Sequence, residues 1–414
     1  MGEYVIKGEN VLSGEIRVSG AKNAALPIIC GACLMKDTVI YNCPRLSDVS
    51  VSMDILRELG AKCSLVGNVL VVSGGIEKNS ISKNLCARMR SSVTFLGAVL
   101  GKMGKCELYC PGGCVLGKRP IDLHLSALEK MGVKIEWDGD KIVCTGKPVG
   151  AEITLAYPSV GATENIMLAA VCAKGNTTIK NCAREPEIVA LGEFLKRGGA
   201  KIQGEGSSVI KIEGVKELCK CEYTVPGDRI ECGTFLCAAA VTGGELYIKG
   251  VEGGLIKPVI EILRGSGCLI KDCRHCIYID APKKISAVKK IVTAPYPGFP
   301  TDMQAQLCTV MAKAQGECTI VEEVFEARNR HLPELVKMGA DIECVSERKF
   351  VLKDTKKLTG CTVQARELRG GAALAIAALC AEGESRIENV EYIDRGYENF
   401  QGKLLDVGAE IVRN

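Results

Sequence analysis

The stretch Leu56–Lys62, L-R-E-L-G-A-K, ends an amphipathic helix with a leucine and, four residues later, a glycine followed by a short apolar residue. The same phrase recurs as L-E-K-M-G-V-K from Leu128, L-K-R-G-G-A-K from Leu195, L-R-G-S-G-C-L from Leu263, L-V-K-M-G-A-D from Leu335 and L-L-D-V-G-A-E from Leu404. The marker glycines, Gly60, Gly132, Gly199, Gly267, Gly339 and Gly408, are spaced 72, 67, 68, 72 and 69 residues apart, and one sixth of the 414-residue chain is 69. A fixed period of this kind signals tandem structural units, and six fill the chain.

Each unit reads outward from its marker in the same order. A small-residue helix comes first, such as A-A-V-C-A-K-G (Ala169–Gly175) or A-A-L-C-A-E-G (Ala377–Gly383), and the spacing predicts a left-handed cap at its glycine. A short strand follows, such as E-L-Y-I-K-G (Glu245–Gly250), and then the marker helix. Two alternating strands close the unit, as in K-C-S-L-V-G-N-V-L-V-V-S-G (Lys62–Gly74) with its Gly-Asn turn. The unit is therefore of βαβαββ type, and its Ala/Gly-rich helices are expected to be buried. A chain of this length exceeds one core, and three units make a domain of ordinary size. The expected fold is α/β, with two inside-out domains built from six repeats: residues 20–227, and residues 1–19 together with 228–414.

Composition narrows the class. The net charge is +4 and aromatics are 4%, with no Lys/Arg run, which argues against a nucleic-acid-coating protein. Twenty-three cysteines in a large chain whose first twenty residues alternate like strands, with no apolar leader segment, read as free thiols in a soluble, reduced, cytoplasmic protein. The longest apolar runs, such as Ala24–Met35, are too short to cross a bilayer.

The repeats also align the chemistry. The start of the first helix carries Lys22 with Asn23, Arg90, Ser159 with Val160 and Gly161, Arg229, Asp302 and Arg369, at separations of 68, 69, 70, 73 and 67 residues. Capping alone accounts for Ser159 and for Thr301. It does not account for the cations, which oppose the dipole at a helix N-terminus and point to an anionic ligand. Ahead of the second marker phrase lies P-G-G-C-V-L-G-K-R-P-I-D-L-H (Pro111–His124): flexible glycines, one thiol at Cys114, the cations Lys118 and Arg119, and Pro120, suited to the first position of a helix. A lone cysteine is ordinarily a small buried hydrophobe; two cations and a helix start beside it favour a thiol that can give up its proton near neutral pH. Cys273-Arg274-His275-Cys276 has the spacing of a redox or zinc half-site in an expected hairpin, but no second pair accompanies it.

The chain resembles the enolpyruvyl transferase family over essentially its whole length. The resemblance is carried by S-G-A-K-N-A-A-L-P (Ser19–Pro27), the Cys114 stretch, S-V-G-A-T (Ser159–Thr163), A-R-E-P-E-I-V (Ala183–Val189), F-P-T-D-M-Q-A-Q (Phe299–Gln306) and Y-I-D-R-G-Y-E (Tyr392–Glu398). It implies two domains facing each other across a cleft that closes on substrate. It further implies transfer of the enolpyruvyl group of phosphoenolpyruvate to the 3-hydroxyl of UDP-N-acetylglucosamine, by addition and then elimination of phosphate, as the committed step of peptidoglycan synthesis. Cys114 matches the family's mobile acid, which can also add covalently to phosphoenolpyruvate. Asp302 matches the residue that hydrogen-bonds the attacking hydroxyl, as a base with a raised pKa or as an orienting group. Lys22, Asn23, Arg119, Arg369 and Arg395 match the groups that bind phosphoenolpyruvate. Arg90, Arg119, Pro120, Ile121, Asp122, Leu123, Ser159, Val160, Gly161, Asp302 and Val324 match contacts to the nucleotide sugar. The resemblance implies a monomer with small-molecule substrates, no cofactor and no metal, and no nucleic-acid or membrane partner.

Two positions depart from the family pattern: Glu367 stands where many members carry Asp, and Tyr157 where some carry Lys. The departures leave the acid, the base and the phosphate cations intact. Two rival readings are a shikimate-type transferase, against which the cysteine lid argues, and a silent UDP-sugar-binding paralogue, against which intact Lys22, Cys114, Asp302 and Arg395 argue.

Overall fold

The structure, a computed structural model, describes residues 2–112, 121–355 and 357–414. Cys114, Lys118, Arg119 and Pro120 lie outside the described residues.

The recurring phrase is a helix stop, made the same way six times. All six marker glycines have φ between +81° and +107°, a region in which any side chain is strained. This turn lets the N–H of the following residue reach back to the carbonyl of the repeated leucine: Ala61 to Leu56, Val133 to Leu128, Ala200 to Leu195, Cys268 to Leu263, Ala340 to Leu335 and Ala409 to Leu404, all at 3.0–3.1 Å. Each closure satisfies a carbonyl that the helix end leaves open, and it brings two apolar residues together. The six leucines are fully buried.

Two compact units divide the described chain, residues 20–226 and residues 2–19 with 227–414. In the first unit, helices Lys22–Gly31, Phe95–Met103 and Val160–Ala170 form the centre and are almost entirely buried. Three sheets surround them. In one, Glu152–Thr154 runs parallel to Asn176–Lys180, which pairs antiparallel with Val209–Glu213, and that strand pairs antiparallel with Lys201–Gln203. The order of the other two is the same, except that the leading strand beside Lys105–Tyr109 is reduced to the single bridge Ser80–Glu107. The second unit repeats the plan around helices Arg229–Thr242, Gln304–Lys313 and Leu368–Cys380.

The chain start supplies two strands, as its alternation predicts, and they join two different sheets. Glu3–Lys7 is the central strand between Glu384–Glu388 and Glu410–Arg413, completing the sixth repeat. Ser13–Arg17 runs parallel to Glu245–Lys249 as the leading strand of the fourth, while Cys221–Thr224 leads the first repeat beside Asp37–Tyr41. The leading strands of the first and fourth repeats are thus exchanged along the chain. Gly175 and Gly383 do have positive φ but do not cap their helices, which end at Ala170 and Cys380; the helices stop earlier because the chain must turn into the next strand.

No atom lies within 4 Å of where a Cβ on Gly199 would sit, so substitution there tests backbone strain alone. Gly199→Ala is expected to lower unfolding stability by about 1–2 kcal/mol in denaturant titration. An unchanged midpoint would mean that positive φ is not what the marker glycine supplies.

Candidate active site

In the unit 20–226, Lys22 is the first residue of its helix and is only 8% exposed. Its ammonium lies 2.8 Å from the carboxylate of Asp48, which is itself buried in the first turn of helix Ser47–Glu58. The adverse dipole at Lys22 is thus offset by a carboxylate from a neighbouring helix. Asn23 is half-buried beside it.

Arg90 opens the 3-10 turn Arg90–Thr94, which runs into helix Phe95–Met103. Close to it is His124, on helix Asp122–Lys130. Asn165, on helix Val160–Ala170, fixes this imidazole. Its Oδ1 accepts from Gly97 N at 2.5 Å, so its Nδ2 is the atom facing both Val93 O and His124 Nδ1, each at 2.9 Å. That arrangement makes Nδ1 an acceptor and leaves the proton on Nε2. Burial, reinforced by the Arg90 charge and opposed by Asp122, lowers His124 to about 4. Gly161 packs against the same ring, and Ser159 caps its own helix by accepting from Ala162 N at 3.3 Å. Arg90, His124 and the Ser159–Gly161 turn are therefore gathered, with Leu123 half-buried and Asp122 exposed at the helix start. The helix begins at Asp122 with Ile121 in the cap position, two residues later than a proline-first start would have it.

In the other unit Asp302 sits in the 3-10 turn Thr301–Met303 with a guanidinium on each oxygen: Arg328 Nη2 lies 2.8 Å from Oδ1, and Arg369 Nη2 lies 3.1 Å from Oδ2. Both arginine side chains are under 5% exposed. Behind Arg328, its Nη1 donates to Thr301 Oγ1 at 2.8 Å, and that hydroxyl donates to Glu322 Oε2 at 2.9 Å. The other oxygen of Glu322 accepts from Thr293 Oγ1 at 2.9 Å and from the backbone N–H groups of Val324 and Phe325 at 2.9 and 3.0 Å. Behind Arg369, the ring of Tyr397 lies 5.3 Å from the guanidinium, and the Tyr397 hydroxyl meets Thr234 and Gln306 at 2.8 and 3.1 Å. Arg369 Nε and Nη1 and Arg328 Nε are buried donors for which the described residues offer no hydrogen-bond partner of good geometry, Tyr397 being the nearest neighbour of the Arg369 guanidinium. Burial disfavours the Arg369 charge, but Tyr397 and the Asp302 and Asp228 carboxylates beside it outweigh that and raise its pKa. Arg395 is half-buried, closing helix Glu391–Asp394 two residues before Tyr397.

Several expectations change here. Thr301 is not a cap; its hydroxyl joins Glu322 to Arg328. Glu367, which stands where many members carry Asp, caps helix Leu368–Cys380 with its carboxylate by accepting from Arg369 N at 2.9 Å and from Gly370 N. Arg229 follows the cap Asp228, whose Oδ1 accepts from Ile230 N and Glu231 N, and it lies 5.7 Å from the ring of Tyr296. Asp48, Asn165, Glu322, Arg328 and the Thr234–Gln306–Tyr397 cluster were missed, since none recurs at the repeat period. A cation two residues past V-E-E-V-F-E (Val321–Glu326) would have been the signal for Arg328 only with its fold position in hand. Among the described residues, no cluster of three or more His, Cys, Asp or Glu side chains could hold a metal ion.

His331 is lowered to about 3, by burial first and then by Arg328. His124 and His331 are thus neutral in the fold, whereas the unfolded chain takes up protons near 6.5. Their contribution to stability is full above about pH 6.5 and is lost as pH falls towards 4, by about 3 kcal/mol for His124 alone. Denaturant midpoints measured between pH 7 and 5 should fall steeply, and less so in His124→Gln and His331→Gln. Equal slopes in all three proteins would refute the assignment.

Residues 6–404 match the family described as EPSP synthase (3-phosphoshikimate 1-carboxyvinyltransferase). The chain is 48% identical over its full length, and that of the relative, to UDP-N-acetylglucosamine 1-carboxyvinyltransferase 2 of Caldanaerobacter subterraneus subsp. tengcongensis. It is 42% identical, over 100% of this chain and 99% of the other, to UDP-N-acetylglucosamine 1-carboxyvinyltransferase of Nitratidesulfovibrio vulgaris. Among solved structures, the enolpyruvyl transferase NikO from Streptomyces tendae superposes with a TM-score of 0.89 at 23% identity, over 100% of this chain and 99% of that one. EPSP synthase from Acinetobacter baumannii superposes with 0.76 at 19% identity, over the full length of both. A chain with this repeat architecture and these full-length likenesses belongs to the EPSP synthase family of enolpyruvyl (carboxyvinyl) transferases.

Proposed function

We propose that this chain transfers the enolpyruvyl group of phosphoenolpyruvate to the 3-hydroxyl of UDP-N-acetylglucosamine, releasing phosphate, as the first committed step of peptidoglycan synthesis. The observation that carries the reading is the full-length identity of 42–48% to enzymes named for that acceptor, against 19% to an EPSP synthase. The residues fit the chemistry. The hydroxyl oxygen bonds to C2 of phosphoenolpyruvate as its methylene carbon gains a proton. Elimination then removes a proton from that carbon and expels phosphate. Cys114 is the acid that delivers the proton. Lys22, Asn23, Arg119, Arg369 and Arg395 hold the phosphate and carboxylate, where negative charge is greatest. The buried Arg369 donors without a partner of good geometry suit an anion, which would share the arginine with Asp302. Arg90, Arg119, Pro120, Ile121, Asp122, Leu123, Ser159, Val160, Gly161 and Val324 bind the nucleotide sugar, and His124 joins them through Arg90 and Gly161. Asp302 accepts the hydrogen bond of the attacking hydroxyl. Arg328 is a positioning residue that keeps that carboxylate turned one way.

Phosphate release from phosphoenolpyruvate should require UDP-N-acetylglucosamine. Release with shikimate 3-phosphate instead would overturn the acceptor in favour of the one in the family's name. Cys114→Ser is expected to lower kcat by roughly 100-fold or more. A small epoxide phosphonate should inactivate the parent protein and spare that variant; unchanged turnover in Cys114→Ala would remove the thiol from the mechanism.

Arg328→Lys keeps the charge but loses the planar fork, and kcat should fall at least tenfold with KM for the nucleotide sugar changed little. A rise in KM alone would make Arg328 a ligand contact rather than a positioning group.

A further inference from the structure

The one motif that the proposed reaction leaves unused is Cys273-Arg274-His275-Cys276. Strands Leu269–Cys273 and Cys276–Asp280 form an antiparallel hairpin in which Cys273 and Cys276 are register partners across a two-residue turn, with His275 at φ +59°. Partners in an antiparallel pair have Cα atoms about 4.5–5.5 Å apart, inside the window of about 4.4–6.8 Å that a disulfide spans. Register partners point to the same side of a sheet. On that side lie Lys271, two residues before Cys273, and Lys249 and Arg17, which continue the same row across the neighbouring strands. Lys249 is paired with Glu15 at 2.6 Å, so the positive charge of the row rests on Lys271 and Arg17.

A second cysteine pair has the same register and serves as an internal contrast. Cys106 faces Cys144 between strands Lys105–Tyr109 and Lys141–Thr145, but both are fully buried and burial pushes both thiols up. Cys273 is exposed and Cys276 half-buried, while the remaining exposed cysteines among the described residues, Cys110, Cys219 and Cys344, face no cysteine across a strand pair. Reactivity follows access to the thiolate, so of the two facing pairs only one is open to a dissolved oxidant.

We propose that Cys273 and Cys276 are a reversible thiol–disulfide site, oxidised by an anionic low-molecular-weight disulfide such as glutathione disulfide that the cationic row attracts. The exposed Cys273 thiolate attacks the small disulfide, its S–S bond breaks, and one glutathione thiol leaves. Cys276 then attacks the Cys273 sulfur of the mixed disulfide and releases the second glutathione thiol. Two protein thiols are oxidised, one glutathione disulfide is reduced, and the two thiol protons end on the two glutathiones. An exposed bond across so short a turn is of the labile, easily reduced kind.

Trypsin tests this directly, because it cuts after Arg274, between the two cysteines. The folded protein is incubated with glutathione disulfide, the remaining thiols are blocked, and the digest is read by mass without reductant. The peptides Asp272–Arg274 and His275–Lys283 should stay joined, and dithiothreitol added before digestion should separate them. Cys276→Ser should stop at a stable mixed disulfide on Cys273, while the Cys106 and Cys144 peptides remain unlinked at the same dose. Separate peptides at a dose that glutathionylates Cys273 in Cys276→Ser would overturn the proposal, as would linkage of Cys106 to Cys144 before Cys273 to Cys276.

Discussion

Six times, one hydrogen bond closes a helix onto its own leucine, and it can form only where the residue before the donor takes positive φ. The closure sets the direction in which the chain leaves the marker helix, and so where the two final strands lie over the buried helix. Because the turn is local and the leucine beneath it is fully buried, each repeat carries its own geometry. Three such sheets then cover three small-residue helices in each unit. The starts of those helices are consequently delivered to equivalent places, and the polar residues there inherit the period of the fold.

That inheritance creates an electrostatic problem. Lys22, Arg229 and Arg369 stand at positive helix ends and are nearly buried. An unpaired buried cation is costly, and removing one partner of a buried pair typically costs about 3–5 kcal/mol. The chain answers with its own acids, Asp48 on Lys22 and Asp302 on Arg369, while Asp228 and Glu367 cap the helices that carry Arg229 and Arg369. Glu367 shows how the extra methylene relative to Asp is accommodated, since its carboxylate turns back on the first N–H groups of its own helix. The cations are thereby kept folded and charged without an added ion, while Arg369 keeps donors in reserve.

What could be read from the sequence follows from the range of the interaction responsible. The closures, the Ser159 cap and the hairpins at Lys62–Gly74 and Leu269–Asp280 depend on residues within a turn or two, so their signals are contiguous. The exchanged leading strands depend on pairing between Ser13–Arg17 and Glu245–Lys249, more than two hundred residues apart, and an alternating strand does not specify its partner. Thr301 illustrates the same limit at one residue. A threonine ahead of a helix reads as a cap, yet here two long-range partners, Glu322 and Arg328, compete for its hydroxyl and win. Asp302 was legible from its place in the repeat, but the two guanidinium groups that define its state were not.

In the proposed reaction, those guanidinium groups favour an orienting role for Asp302 over that of a base. A base must turn towards the proton it takes and then hold it. Each oxygen of this carboxylate is already gripped by a buried arginine, and one of those arginines is itself held through Thr301 to Glu322, whose other oxygen is fixed by Thr293 and two backbone N–H groups. Because both oxygens are engaged by buried guanidinium groups, the direction of the carboxylate is fixed. A carboxylate so held acts best by accepting a hydrogen bond in a fixed direction. In the proposed reaction it would then align the attacking hydroxyl and stabilise positive character on it as the new C–O bond forms, with the hydroxyl proton passing to solvent late in that step.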